Sequence, residues 1–420
     1  MSQTPGFLVL DSSYTFEMIR ERGLEDSVRC RDLDGFFRHV WSVHPFATLL
    51  TSESWTPRYG KPVTYDFDPR HSFIEGKVGR FGWLRRIFPL NFLLAQAGLF
   101  LRLVRLIRRE NIRIIRVGDP LYLGLFGLAL ARLTGAKLAI RVNGNNDKIR
   151  ATHGRPLFPR LFGSIRVEKA VERFVFRRAD LVAAPNQDNV DFAVANGARP
   201  DRVTIFRYGN LVAREHLTDP ETRPLTAETS SQLGIEAGRY LLCIGRLETV
   251  KFPDDAVRVL GEAVKIAPEM KLVLAGDGQM RDALGDLARE LGVEANVVFA
   301  GNQNQTRLAE LIPNAAAVIS PLTGRSLTEA AFGAAPIVAY DLDWQGELIK
   351  TGDTGELVPF RQWEGLAAGV QRFLADPAYA RQVGQAARAW AREMLDPVML
   401  DAHERHEYAR LLARPSGKHK

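Results

Sequence analysis

Five short apolar runs, each followed by a helical pattern, recur through the second half of this chain. The runs are Tyr240–Gly245, Lys271–Gly276, Val297–Gly301, Ala317–Ser320 and Pro336–Tyr340. The helical stretches after them are Asp254–Ile266, Met280–Leu291, Thr306–Ile312, Ser326–Phe332 and Trp344–Lys350. Strand alternating with helix in this way predicts a parallel sheet. Parallel neighbours need a long crossover, and the crossover helices bury both sheet faces. The first half repeats the pattern less regularly. Its candidate strands are Phe7–Asp11, His39–Val43, Val63–Phe67, Ile112–Val117, Lys137–Val142, Leu181–Pro185 and Val203–Phe206. Leu94–Arg109, Leu121–Leu133 and Ile165–Arg178 have helical spacing. The expected fold is α/β, with two doubly wound, Rossmann-like halves facing a cleft.

The chain has 420 residues, a length that suits two or three domains. Hydrophobic residues make up 46% and charged residues 25%, which excludes disorder as the main theme. The stretch Ala213–Ser231 is polar, holds two prolines and lacks apolar periodicity, so it reads as a linker. That places one domain at residues 1–210 and the other at 234–394. From Trp363 to Leu412 the pattern is helical, broken at Asp376-Pro377 and Asp396-Pro397. Two cysteines, Cys30 and Cys243, exclude a disulfide framework and suit a reducing compartment. The N-terminal residues lack the order of a signal peptide. Ile87–Leu101 is apolar but interrupted by Pro89, Asn91 and Gln96, and it reads as too short to span a bilayer. The expected location is cytoplasmic, with peripheral contact to the inner face of a membrane left open.

Lys and Arg total 56 against 49 Asp and Glu, a net charge of +7 that points to an anionic partner. Four clusters at strand ends carry the candidate chemistry. Arg246 and Lys251 follow the strand ending at Gly245, where two cations suit a diphosphate; the competing reading is a pair of solvated surface cations. Gly276-Asp-Gly278 allows close backbone approach to a ligand or makes a plain turn. The turn around Gly324 precedes a helix starting near Ser326, whose free N–H groups favour an anion. Glu329 lies one turn into that helix among small apolar residues. It calls for a ribose diol or a partner, or it closes a capping box with Ser326. Last, Asp341, Asp343 and Glu347 surround Trp344, and Glu347 equally reads as a support for its helix N-terminus.

The order of these motifs, from Gly-Arg-Leu and Lys251 through Ala-Gly-Asp-Gly278 and Leu-Thr-Glu329-Ala to Thr-Gly-Glu-Leu-Val358, resembles the donor domain of retaining glycosyltransferases of family 4, which have the GT-B architecture. The resemblance covers Tyr240–Val358. It implies that Arg246 and Lys251 bind the donor diphosphate and stabilise its charge as the sugar leaves. It further implies that Glu329 holds the nucleotide ribose. Thr323, Gly324, Arg325 and Ser326 would cradle phosphate, and Gly301 and Asn302 would lie near the base. It implies no bound metal and no cofactor beyond the nucleotide-sugar co-substrate, and a final helix, Val398–Leu412, packed back on the first domain. One position departs from the family: Pro321 stands where relatives carry a sugar-contacting glutamate.

The first half matches the family loosely. Asn143, Asn145 and Asp147 follow a strand and are candidates for sugar or acceptor contact, or form a polar loop. His44 is a second such candidate, or a structural histidine. Between Arg80 and Arg116 nine arginines oppose Glu110 alone, interleaved with aromatic and aliphatic residues. That segment suits an anionic membrane surface, or it is a sheet-packing helix with a solvated arginine face. No recognition motif accompanies the charge, so nucleic acid is not an expected partner. The expected function is retaining transfer of a sugar from a nucleotide-sugar donor to a glycan, lipid-linked or small-molecule acceptor. The alternatives are a non-catalytic sugar-nucleotide-binding subunit, motivated by Pro321, and a GT-B sugar-nucleotide epimerase.

Overall fold

The computed structural model describes residues 4–21, 23–50, 58–207, 212–322 and 324–414. It divides into two units, Met1–Arg207 with Asp401–Lys420, and Tyr208–Leu400.

The first unit is built on an eight-stranded sheet. In chain order the strands are β1 (Gly6–Leu10), β2 (Val40–His44), β3 (Val63–Asp68), β4 (His71–Glu75), β5 (Ile112–Val117), β6 (Lys137–Arg141), β7 (Leu181–Ala184) and β8 (Val203–Ile205). They lie in the order β3-β4-β2-β1-β5-β6-β7-β8, and only β3 runs antiparallel to its neighbour. Leu8, Leu10, Val43, Ile115 and Val117 pack on one face beneath the helices Phe88–Arg109 and Tyr122–Thr134. On the other face Tyr408, from the final helix Pro397–Ala413, sits against Phe7, Phe37 and Phe206 at centroid distances of 5.4, 5.6 and 5.7 Å. The chain's last helix thus completes the core of its first unit.

Two features differ from the sequence expectation here. Strand β4 was not anticipated, because His71, Ser72 and Glu75 interrupt its apolar run, yet all five residues are buried. The helix at Arg109 begins at Phe88 rather than Leu94 and runs 22 residues, and by length and composition it is apolar enough to cross a membrane. Asn91 and Gln96, read as interruptions, point inward instead. Asn91 accepts from the Arg80 and Phe81 N–H groups, and the Gln96 amide donates to the Pro45 carbonyl at 3.1 Å.

The second unit holds a six-stranded parallel sheet. Its strands are β9 (Tyr240–Ile244), β10 (Lys271–Ala275), β11 (Val297–Gly301), β12 (Ala317–Ser320), β13 (Ile337–Asp341) and β14 (Glu356–Pro359), ordered β11-β10-β9-β12-β13-β14. Both faces are covered. Leu241, Leu272 and Ile319 belong to one core, Leu242, Val273 and Val318 to the other, as alternation along a strand requires. The edge strand β14 was missed as well; it is four residues long and ends in Pro359, which cannot donate to a further ladder. The stretch read as a linker is structured and belongs to this unit. It forms helices Arg214–Leu217 and Ala227–Leu233, and buries His216 and Pro220.

Candidate functional site

The carboxyl ends of β9, β10, β11 and β12 adjoin in the second sheet, so their loops share one edge. The β9 and β10 loops interlock. The Leu247 N–H donates to the Asp277 carbonyl at 3.0 Å, and the Met280 N–H returns to Leu247 at 3.0 Å. A Cβ on Gly276 would lie 1.8 Å from the Gly245 carbonyl oxygen. The glycines of Gly276-Asp-Gly278 therefore admit a neighbouring loop, the one that carries Arg246, and not merely a turn.

Arg246 leaves that loop with its side chain 66% exposed and ion-paired to Glu248 at 2.6 Å. Lys251 ends the short helix Thr249–Lys251 and is half-buried. Burial, and then the neighbouring Arg246 charge, hold its ammonium below the usual lysine value, while Asp343 opposes them. A partly desolvated cation beside a second one gains from an anion placed between them. Asp343, one of the three carboxylates of the fourth cluster, arrives from the loop after β13.

The helix after β12 spans Arg325–Phe332, with Gly324 as its N-cap at φ +69°. Thr323 lies outside the described residues. Ser326 does not form the capping box considered above; its hydroxyl is buried and donates to the Ile244 carbonyl at 3.1 Å. That bond ties the helix N-terminus to the end of β9, beside Arg246. Glu329 is 2% exposed and pairs with Arg325 Nε at 3.0 Å. With its amide nitrogen facing acceptors, Gln305 donates to Glu329 Oε1 at 3.1 Å and to His216 Nε2 at 2.7 Å, and accepts from Arg325. His216 is fully buried, and burial lowers its proton affinity against the pull of Glu329 and Gln305. The carboxylate that called for a partner thus has three supporting residues. Two of them, Gln305 and His216, left no local signal in the sequence.

Gly301 ends β11 at φ +68°, followed by exposed Asn302. Pro321 is buried, and its carbonyl accepts from the Gln345 amide at 3.1 Å. The Gln345 side chain also donates to the Tyr340 carbonyl at 2.8 Å, so it ties the turn that begins at Pro321 to the end of β13. Cys243 is buried, which pushes its thiol up to about 12.

In the first unit, His44 ends β2, fully buried. Burial lowers its imidazole to about 4, its Nδ1 accepts from the Phe46 N–H, and its Nε2 has no hydrogen-bond partner. Asn143 donates to the Gly118 carbonyl at 2.9 Å and is exposed. Asn145 and Asp147 are engaged by the fold. Asn145 caps the helix Asn146–His153, accepting from the Asp147 and Lys148 N–H groups. Asp147 is taken up by Lys169 at 2.8 Å, Arg150 at 3.0 Å and Asn196 at 3.0 Å. Against the upward push of burial, these hydrogen bonds and charges hold its carboxyl below the usual value. The same end of the sheet carries acids that sequence reading passed over: burial raises both Glu75 and Asp119 to about 7.

Two family models match the chain. "Glycosyl transferase 4-like domain" covers residues 37–209, and "Glycosyl transferases group 1" covers residues 226–390. Glycogen synthase from Mycobacterium tuberculosis is 31% identical over 224 residues, 52% of this chain and 51% of that protein. The chain thus matches about half the length of that relative. The GDP-mannose-dependent alpha-(1-6)-phosphatidylinositol monomannoside mannosyltransferase of Mycolicibacterium smegmatis is 25% identical, over 76% of this chain and 81% of its own. Among solved structures, Anabaena HepE in complex with UDP superposes with a TM-score of 0.68 at 17% identity, covering 97% of this chain and all of HepE. That likeness is one of fold.

Proposed function

The chain belongs to the GT-B glycosyltransferases of the family 4 type, and from that premise we propose that it moves a sugar from a nucleotide-sugar donor to a glycan, lipid-linked or small-molecule acceptor, with retention of configuration. One observation carries this reading. Arg246, Lys251, the N-terminus of helix Arg325–Phe332 and the carboxylate of Glu329 meet at one edge of the second sheet. HepE is named in complex with UDP, and the mycobacterial mannosyltransferase is GDP-mannose-dependent; the shared chemistry is a nucleoside diphosphate.

In the transfer the bond from the sugar's anomeric carbon to the diphosphate breaks. A bond to an acceptor hydroxyl forms as that hydroxyl gives its proton to the departing diphosphate. Negative charge grows on the departing diphosphate. Arg246 and Lys251 act on that charge electrostatically, and the helix N–H groups reinforce them without reorganising. Glu329, held by Arg325 and Gln305, takes the ribose hydroxyls.

Calorimetric titration with UDP and GDP tests the site. Arg246→Ala, Lys251→Ala and Glu329→Ala should each weaken binding of the preferred nucleotide about tenfold or more. Unchanged affinity in all three removes the assignment. Pro321 supports a second reading, a donor-binding subunit without transfer activity. Incubation with nucleotide sugars separates the two. Release of nucleoside diphosphate that depends on an acceptor supports transfer, and binding without release supports the subunit. Conversion of the donor without an acceptor would mark an epimerase.

A further inference from the structure

A helix lying on a sheet needs one apolar face, and its outward face is ordinarily polar. Helix Phe88–Arg109 buries Ala95, Leu99, Leu103 and Ile107 against the first sheet, as that rule requires. Its opposite face is apolar too. Leu90, Leu93, Leu94 and Leu101 are 44, 63, 37 and 53% exposed. Leu90, Leu94 and Leu101 recur at helical spacing, and the same stripe ends in Arg105 and Arg108. The turn before the helix extends the patch. Trp83 is 76% exposed, the most of any large hydrophobic side chain among the described residues, and Phe81, Ile87 and Phe88 are exposed beside it. The reading of this segment as a helix with a solvated arginine face therefore holds only for its last turns, where Arg105, Arg108 and Arg109 are exposed. Before them the outward face is leucine, and Arg102 turns to the Pro62 carbonyl at 2.6 Å.

Every charged residue from Arg80 to Arg109 is an arginine. Arg80, Arg85 and Arg86 lie at one end of the apolar stripe and Arg105 and Arg108 at the other. The leucine stripe between them is about 17 Å long at 1.5 Å per residue. We propose that this face docks on an anionic lipid bilayer. Trp83 and the leucines enter the boundary between headgroups and acyl chains, and the arginines engage lipid phosphates on either side. The charge pattern selects this occupant, since a neutral apolar partner would leave the arginines without counter-charge. The contact is lateral and not spanning, because the inner helix face is committed to the sheet and to the buried Asn91 and Gln96. The inference is independent of the transferase reading.

Sedimentation of the full chain with sucrose-loaded vesicles tests it. Phosphatidylcholine vesicles containing phosphatidylglycerol should carry the chain down, vesicles of phosphatidylcholine alone should carry several-fold less, and added salt should close the gap. Arg85→Gln with Arg86→Gln, and separately Trp83→Ser with Leu93→Gln, should each reduce partitioning roughly tenfold. All four positions are exposed, so the thermal transition and the nucleotide affinity should hold, which separates this result from any failure of the donor site. Equal sedimentation with neutral and anionic vesicles, or variants that partition like the parent, overturns the proposal. So does concentration-dependent dimerisation that Trp83→Ser abolishes in a chain that binds no vesicle, which would make the face a protein interface.

Discussion

Gly276→Ala tests whether the donor edge of the second sheet depends on the contact between its two loops. Gly276 has φ +154°, and an added Cβ would lie 1.8 Å from the Gly245 carbonyl oxygen and 2.8 Å from its carbon. Ordinary contact begins at 3.4 Å, so the loops must part by about 1.6 Å. Neither partner can rotate away, since both are backbone. The Gly245 N–H is already bonded to Ala275 at 3.0 Å, and Leu247 to Asp277 at 3.0 Å. Overpacking of about 1–3 kcal/mol and a strained backbone of similar size together predict a loss of about 2–6 kcal/mol. At about 2–4 °C per kcal/mol, calorimetry should show the transition of this unit fall by roughly 4–24 °C. Because Arg246 follows Gly245 directly, nucleoside diphosphate affinity should fall about tenfold as well. Gly285→Ala is the control. Gly285 lies inside helix Arg281–Glu290 with nothing within 4 Å of its added Cβ, and should gain about 0.5–1 kcal/mol. A Gly276→Ala protein with the parent's transition and the parent's affinity would refute the interlocked loops.

Gln305→Leu should weaken nucleotide binding about tenfold and cost about 1–3 kcal/mol, because it leaves Glu329 short of a donor and His216 Nε2 unpaired; titration and urea unfolding read the two effects. Glu75 holds its proton up to about 7 in the folded chain, against an ordinary value of 4.5. The folded state is therefore favoured below pH 4.5, and that advantage is lost as pH rises through about 7. Glu75→Gln, which cannot ionise, should match the parent at pH 4 and exceed it at pH 8 by on the order of 1–3 kcal/mol in chemical unfolding; an unchanged pH slope counts against the buried carboxyl. Tyr408→Ala should cost about 3–5 kcal/mol, since the ring is 1% exposed among Phe7, Phe37 and Phe206, and a drop below 1 kcal/mol would mean the last helix does not complete the first core.

What was legible from residue order is what is local. Strands Ile112–Val117, Val297–Gly301 and Ala317–Ser320 sit where their apolar runs place them, because a buried parallel strand needs little beyond its own composition. The cations after β9 and the glycine before helix Arg325–Phe332 were legible for the same reason, since a strand end and a helix start are written in a few consecutive residues. Strand β4 was not, because His71 and Glu75 are buried by neighbours that the local pattern does not contain. The role of Glu329 was half legible. Its isolation among apolar residues showed that it needs a partner, and Arg325 stands four residues before it, but only the fold supplied Gln305 and, 89 residues away in the chain from Gln305, His216.

The arginine-rich segment divides in the same way. Composition by itself determined a basic, apolar stretch and two α/β units. The tertiary structure decided which of its side chains the sheet consumes and which face solvent, giving the outward face leucines in its first turns and arginines in its last. Periodicity sets the two faces of a helix, but burial belongs to the pair of surfaces in contact. When both faces are apolar, only the packing shows which one the core has taken.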